Sequence, residues 1–156
     1  MLAREMPQVR SVLTSDVAPL NRLIDRVLDE VEGVVFMRDA TRAGLAGVAA
    51  DLASRTGLHV TLDEARIPVR PETLHAAEML GLDPLEVANE GKVVMVVRPR
   101  SADAALRALR EHPLGRMAQV IGEVEDVRDG ICEIRTPIGG RRILQKPYGE
   151  QLPRIC

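Results

Sequence analysis

Two aromatic side chains, Phe36 and Tyr148, are all that this chain of 156 residues contains, and it has no tryptophan. A core must therefore be aliphatic, and its outline has to be read from where Val, Leu, Ile, Ala and Met recur along the chain. Hydrophobic residues make up 46% and charged residues 28%, the balance of one globular domain long enough to bury one substantial core. "SDVAPLNRLIDRVLDEVEG" predicts a helix, with Asp16 as cap, Pro19 early, and Leu20, Leu23, Ile24, Val27, Leu28 and Val31 in one stripe. "VVFMRD" predicts a short strand, and "TRAGLAGVAADLASRTG" a second helix with Leu45, Val48, Ala49 and Leu52 inward, ended by Gly57. "LHVTLDEA" alternates as a half-buried strand should. "RPETLHAAEMLGLDPLEVANEG" predicts two short helices broken at Gly81, the second starting at Asp83–Pro84. "KVVMVVRP" is a continuous apolar run, expected at the centre of a sheet. "SADAALRALREHP" predicts a helix capped by Ser101. "AQVIGEVEDV", "GICEIRT" and "RRILQ" predict strands with turns at Asp129–Gly130 and Gly139–Gly140. The mixed order implies an α+β fold of mixed layers, with no regular βαβ repeat. The first dozen residues read as a leading strand or a cut end.

Charge and composition exclude several function classes. With 21 basic and 23 acidic residues the net charge is −2. The electrostatic footprint and stacking rings of a nucleic-acid binder are both missing. Arg141–Arg142 reads as a solvated strand end. No apolar run approaches the roughly 20 residues that span a bilayer, and "MLAREMPQVR" lacks the apolar stretch of a signal peptide. The two cysteines, Cys132 in a strand and Cys156 at the end, suit a reduced, cytoplasmic protein. His59, His75 and His112 show no ligand spacing, so no metal site is expected.

Three stretches carry chemistry. In "MRDATRAGL" a strand ends, a polar turn follows and a helix starts on small residues. A helix N-terminus offers free N–H groups and the positive end of a dipole. Asp39, Thr41, Arg42 and Gly44 are thereby candidates for holding a phosphate. The plainer alternative is a helix capped by Asp39 or Thr41 with Arg42 in solvent. In "VANEGK" an amide, Asn89, and a carboxylate, Glu90, precede a strand, a pair suited to orienting a substrate and taking a proton. The plainer alternative is a helix C-cap made by Asn89 and Gly91. "GEQLPRIC" ends the chain on a thiol. A thiolate is a nucleophile, and eight residues reach at most roughly 26 Å at about 3.3 Å each. A group on Cys156 could thus be carried between separate sites.

Taken with "SDVAPLN", "IPVR", "LGLDPLEVANEGK", "HPLGRMAQVIGEV" and "GGRRI", these stretches resemble the HypE family of hydrogenase maturation factors, within the aminoimidazole ribonucleotide synthetase (PurM-like) superfamily. The likeness runs over nearly the whole chain, and the terminal "PRIC" is its most specific part. It implies a PurM-like C-terminal domain, helices packed on a mixed sheet, over residues 1–148, followed by a mobile tail over 149–156. It further implies that the ATP-binding N-terminal domain, with its acidic metal–nucleotide residues and catalytic lysine, lies outside this chain. In such proteins a HypF-type carbamoyltransferase loads the terminal cysteine. ATP, with Mg²⁺, drives dehydration of the carboxamide to a thiocyanate, and cyanide passes to iron on a HypC–HypD complex for [NiFe]-hydrogenase. Cys156, Glu90 and Asn89 match the catalytic positions, and a homodimer is implied for the full-length protein. No nucleotide is expected tightly bound to this half alone. The competing readings are a carrier or docking module that turns over no ATP, and another PurM-like ATP-dependent synthetase domain. The family turn has Pro at the position of Ala40 and Gly-Gly at Ala43–Gly44. If the first glycine takes a positive φ, Ala43 is strained.

Overall fold

The computed structural model describes residues 13–145. The leading strand, the tail from 149 and Cys156 lie outside the described residues. Four helices and six strands follow in the order α1 (Asn21–Glu30), β1 (Val34–Asp39), α2 (Gly44–Thr56), β2 (His59–Asp63), α3 (Pro71–Leu80), β3 (Val93–Val97), α4 (Ala102–Glu111), β4 (Gly122–Glu125), β5 (Cys132–Arg135) and β6 (Arg141–Ile143). The fold is α+β, as expected. Its strands make two sheets: an antiparallel ribbon of β1 and β3, and a mixed sheet in the order β4-β2-β5-β6. In the mixed sheet β2 runs parallel to β5 and antiparallel to β4.

An aliphatic core is what the composition requires, and it is built as two clusters. In the larger, Ala46, Ala49, Ala50 and Ala53 form a stripe on α2 against Val60, Leu62, Cys132 and Ile134 of the mixed sheet. Side chains of one carbon let the helix lie close on the sheet, so branched strand residues fill the gap without rings. In the smaller, Val27 and Val31 of α1 and Ala105 and Ala108 of α4 cover Val34, Met95 and Val97 of the ribbon. Removing a side chain such as Ile134, wholly buried, typically costs 2–5 kcal/mol when truncated to alanine.

Several sequence expectations need correction. Among the described residues the apolar run of β3 pairs with β1 alone, in a two-stranded ribbon and not at the centre of a sheet, and all five residues are half-buried. A run without alternation reports that both faces are partly covered, not that the strand is interior. The strands with partners on both sides are β2 and β5 of the mixed sheet, and in β2 Thr61 is buried along with Val60 and Leu62. Its hydroxyl donates to Glu125 (3.0 Å), which satisfies the one polar group that broke the expected burial alternation. The second helix expected after Gly81 is absent. Asp83 Oδ1 accepts the Leu85 N–H (2.9 Å), the Leu85 carbonyl is taken by the Ala46 N–H (2.9 Å), and the Val87 carbonyl by the Asn89 side chain (2.7 Å). One local turn forms, the Glu86 N–H donating to the Asp83 carbonyl (3.0 Å), but the Leu85 and Val87 carbonyls that would extend it are taken by Ala46 and by the Asn89 side chain. Helix α1 begins at Asn21, with no side-chain cap, so Asp16 and Pro19 precede it. Leu28, assigned to its apolar stripe, is exposed. Ser101 does stand at the N-cap of α4, but its side chain makes no cap bond.

Candidate functional site

Strand pairing dictates which turns can meet. Asp39, the last residue of β1, stands opposite Val93, the first of β3. The turn leaving β1 and the segment entering β3 are therefore neighbours, although some 50 positions separate them. The Asn89 N–H donates to the Ala40 carbonyl (3.0 Å) and joins them.

The turn itself depends on two successive left-handed residues. Ala43 has φ +57°, the only positive φ at a non-glycine among the described residues, and Gly44 has φ +57° as well. The conditional strain expected at Ala43 is therefore present. Together the two residues swing the chain from the strand into α2. A Cβ on Gly44 would lie 2.4 Å from the Leu85 carbonyl oxygen and 2.6 Å from that of Val87. Gly44 is thus required for the 85–87 backbone to approach, whatever else binds there. Neither Asp39 nor Thr41 caps α2, so of the plainer alternative for this turn the cap is not realised, whereas Arg42 does lie in solvent. Instead the Thr41 hydroxyl donates to Asp39 Oδ1 (3.3 Å). Arg42 is exposed and makes no ion pair among the described residues. Its neighbour Arg38 is held to Asp51 of α2 (3.0 Å), which ties the ribbon to the helix. The first turn of α2 loses one amide to Leu85, through Ala46, and another to Ala43, through Gly47 (2.8 Å). The amides of Gly44 and Leu45 donate to nothing among the described residues, leaving two adjacent N–H groups for an anion.

The facing segment is pinned at both ends. At its start, Asp83 accepts Arg142 Nη2 (2.8 Å) through its second oxygen. Arg142 is thus not the solvated strand end expected; it fastens β6 to the loop that feeds the site. At its other end, the Glu90 N–H donates to Asp16 Oδ2 (3.2 Å), and Lys92 Nζ stands 3.8 Å from the same oxygen. Gly91 passes so close under this stretch that a Cβ would lie 1.8 Å from the Asp16 carbonyl oxygen. Because no helix precedes Asn89, the C-cap alternative also lapses. The Asn89 amide nitrogen is used on Val87. The Glu90 carboxylate makes no hydrogen bond or ion pair among the described residues.

One rim therefore gathers Asp39, Thr41, Arg42 and Gly44 from one side and Asn89 and Glu90 from the other. Cys156 lies outside the described residues. Asp16, Asp83 and Arg142 were not recognised as parts of this arrangement. Asp16 reads as a helix cap, and no local signal pairs an arginine with a carboxylate 59 positions away. The one described thiol, Cys132, is buried, and burial followed by the charge of Glu133 pushes it up to about 11. At neutral pH only about one in 10⁴ such thiols is ionised, so Cys132 is no nucleophile. Among the described residues, no group of three or more His, Cys, Asp or Glu could hold a metal ion, and no helix is long and apolar enough to cross a membrane.

Residues 1–135 match the family described as AIR synthase related protein, C-terminal domain. The chain is 47% identical over 153 residues to the carbamoyl dehydratase HypE of Cupriavidus necator, covering 98% of this chain and 44% of that protein. Among solved structures it is similar to hydrogenase maturation protein HypE in complex with ATP: TM-score 0.88, 37% identity, 97% of this chain and 47% of that one. A HypE–HypF complex is also similar, with TM-score 0.86, 39% identity, 94% of this chain and 48% of that one. The chain spans less than half the length of the curated relatives it matches, 42–46%.

Proposed function

Because the chain belongs to the AIR synthase related protein family through its C-terminal domain, we propose that it is the C-terminal half of a HypE-type carbamoyl dehydratase. The observation that carries this reading is the junction of the two turns through Asn89 and Ala40. It brings the backbone of Asn89, next to Glu90, against Ala40 in the turn that leads into α2, in a chain 47% identical to a carbamoyl dehydratase. Residues 1–148 are read as the domain and 149–156 as the segment that presents Cys156.

The reaction removes water from a carboxamide on the Cys156 sulfur, R–S–C(=O)NH₂, to leave R–S–C≡N. Oxygen is a poor leaving group, and ATP supplies the phosphoryl group with which it departs as phosphate. The nitrogen must surrender both protons as the triple bond forms, and Glu90 is the base that accepts them in turn. Asn89 Oδ1, left over after Nδ2 is used on Val87, holds the carboxamide N–H₂ toward Glu90. Gly44 and Leu45 N–H groups with the Arg42 guanidinium fit a transferring phosphoryl group in number and charge. Asp39, steadied by Thr41, would repel that group unless a cation lay between them. With Mg²⁺ bound, Asp39 would supply one oxygen of the kind that ion takes, and the ion would offset the phosphate charge. A HypF-type carbamoyltransferase loads Cys156 and a HypC–HypD complex receives the cyanide. The full-length protein is a homodimer of the cytoplasm. Support for ATP and for HypF comes from the similar structures that contain them.

Intact mass of the full-length protein tests the reading. With a HypF-type transferase, carbamoyl phosphate and Mg-ATP, the mass should rise by one carbamoyl group and then fall by one water. Neither change should occur in Cys156→Ala, because Cys132 is not ionised. In Glu90→Gln the carbamoyl group should be gained normally and the water lost about 10²-fold more slowly, the usual scale for loss of a general base. Modification that persists in Cys156→Ala would sink the assignment.

A further inference from the structure

We propose that Asp16 is a positioning residue for Glu90, fixing the peptide on which the base stands without touching substrate. This rests on the reading of Glu90 as the base. A base in this site has two conflicting needs. Its location must be held within about 0.5 Å, yet its carboxylate must keep lone pairs for the substrate. Anchoring the side chain would meet the first need and defeat the second. The structure anchors the backbone instead. Two consecutive amides donate to two different segments: Asn89 N–H to the Ala40 carbonyl (3.0 Å) and Glu90 N–H to Asp16 Oδ2 (3.2 Å).

Three further features make Asp16 an anchor and not a chance acceptor. It lies 74 positions from Glu90, before the start of α1, so its carboxylate is not occupied in capping that helix. Gly91 has no room for a side chain against the Asp16 carbonyl and the Ala18 nitrogen, 1.8 and 3.0 Å from a built Cβ. The 16–18 backbone is thus seated on the turn as closely as two chains can be. Lys92, one of only two lysines in the chain, stands 3.8 Å from the same Asp16 oxygen and offsets its charge. The stretch preceding α1 thereby becomes a strut under the site, and the half-exposed carboxylate is its point of contact.

The test uses the full-length protein with Cys156 carbamoylated beforehand and mixed with Mg-ATP in a single turnover. Asp16→Ala, Asp16→Asn and Glu90→Gln are compared by thiocyanate formation and by hydrogen exchange at the Glu90 amide. Asp16→Ala should slow dehydration about tenfold or more, the scale on which small misplacements act, and speed exchange at the Glu90 amide to a similar degree. Asp16→Asn keeps a neutral acceptor and should stay within about threefold of wild type in both. Carbamoylation and Mg-ATP affinity should be unchanged in both variants. An unchanged rate in Glu90→Gln overturns the assignment of the base. A slowed Glu90→Gln beside an unchanged Asp16→Ala overturns the positioning role instead. So does equal loss in Asp16→Asn and Asp16→Ala, which would make charge rather than the hydrogen bond the operative property. Should Asp16→Ala fail to fold, Asp16→Asn decides: slowing beyond threefold with wild-type exchange overturns the proposal.

Discussion

Ala43 is the residue at which this chain carries visible strain. Its φ of +57° places a methyl group where an L-residue costs roughly 1–2 kcal/mol. Its consequence is four positions on: a Cβ at Gly47 would lie 2.6 Å from that of Ala43 and 3.0 Å from the Arg42 carbonyl oxygen. Ala43 and Gly47 therefore constrain each other, one methyl being tolerated where two are not. Ala43→Gly should stabilise the protein by about 0.5–1 kcal/mol, relief of strain exceeding the added freedom of the unfolded chain. Gly47→Ala alone should destabilise it, although alanine is worth about 1 kcal/mol over glycine inside a helix. In the Ala43→Gly background that sign should turn neutral or favourable. Urea melts of the four proteins give the coupling, expected at about 1 kcal/mol or more; additive effects would show that the two methyl positions do not compete.

At the scale of elements, the mixed sheet holds a titrating contact away from the site. His59 opens β2, and its Nδ1 lies 2.8 Å from Asp129 Oδ2 in the turn before β5. Nε2 faces Glu133 of β5 (3.9 Å), itself paired with Arg141 of β6 (3.0 Å), and Glu125 stands opposite on β4. The hydrogen bond to Asp129 raises the imidazole above its ordinary 6.5, helped by the charges of Asp129, Glu133 and Glu125 and opposed by partial burial. The Ile131 N–H, then His59, holds Asp129 below 3.8. A raised histidine contributes stability that is complete below pH 6.5 and lost as pH rises through its folded value. A lowered carboxyl contributes stability present above about pH 4 and lost as pH falls through its folded value. The contact is therefore strongest between those limits. The melting temperature should fall between pH 6 and 8, and that part of the fall should vanish in His59→Gln and in Asp129→Asn. A wild-type slope in either variant would place the titrating group elsewhere.

For the molecule as a whole, the candidate site is a rim where two turns meet through Asn89 and Ala40. Its described residues supply two free amides and one guanidinium for phosphate, with no acidic cluster able to hold a metal. The 156-residue chain alone should therefore bind Mg-ATP weakly or not at all, while the full-length protein binds it. Calorimetry on the two proteins compares them, and micromolar binding by the shorter would place the nucleotide site within this half.

Much of this was legible along the chain. The α+β class, the bounds of β1, the presence and type of α2 and β2, and the stops at Gly57 and Gly81 follow from local rules of periodicity and glycine conformation that act within a few residues. The turn at 39–44 and the pair at 89–90 stood out because their polar groups broke those local patterns. Which strand is interior did not follow, because an apolar run records coverage of its faces, whereas rank in a sheet depends on partners dozens of positions away. The second helix expected after Gly81 failed for the same reason: the Leu85 carbonyl found its partner in Ala46, across the fold, and Asp83 is tied to the distant Arg142 besides its local turn. The meeting of the two turns, the refusal of a side chain at Gly44 and Gly91, and the hold of Asp16 on Glu90 are decided only by tertiary structure. Each involves a backbone group meeting a segment dozens of positions away, which a sequence, as a list of side chains, does not record.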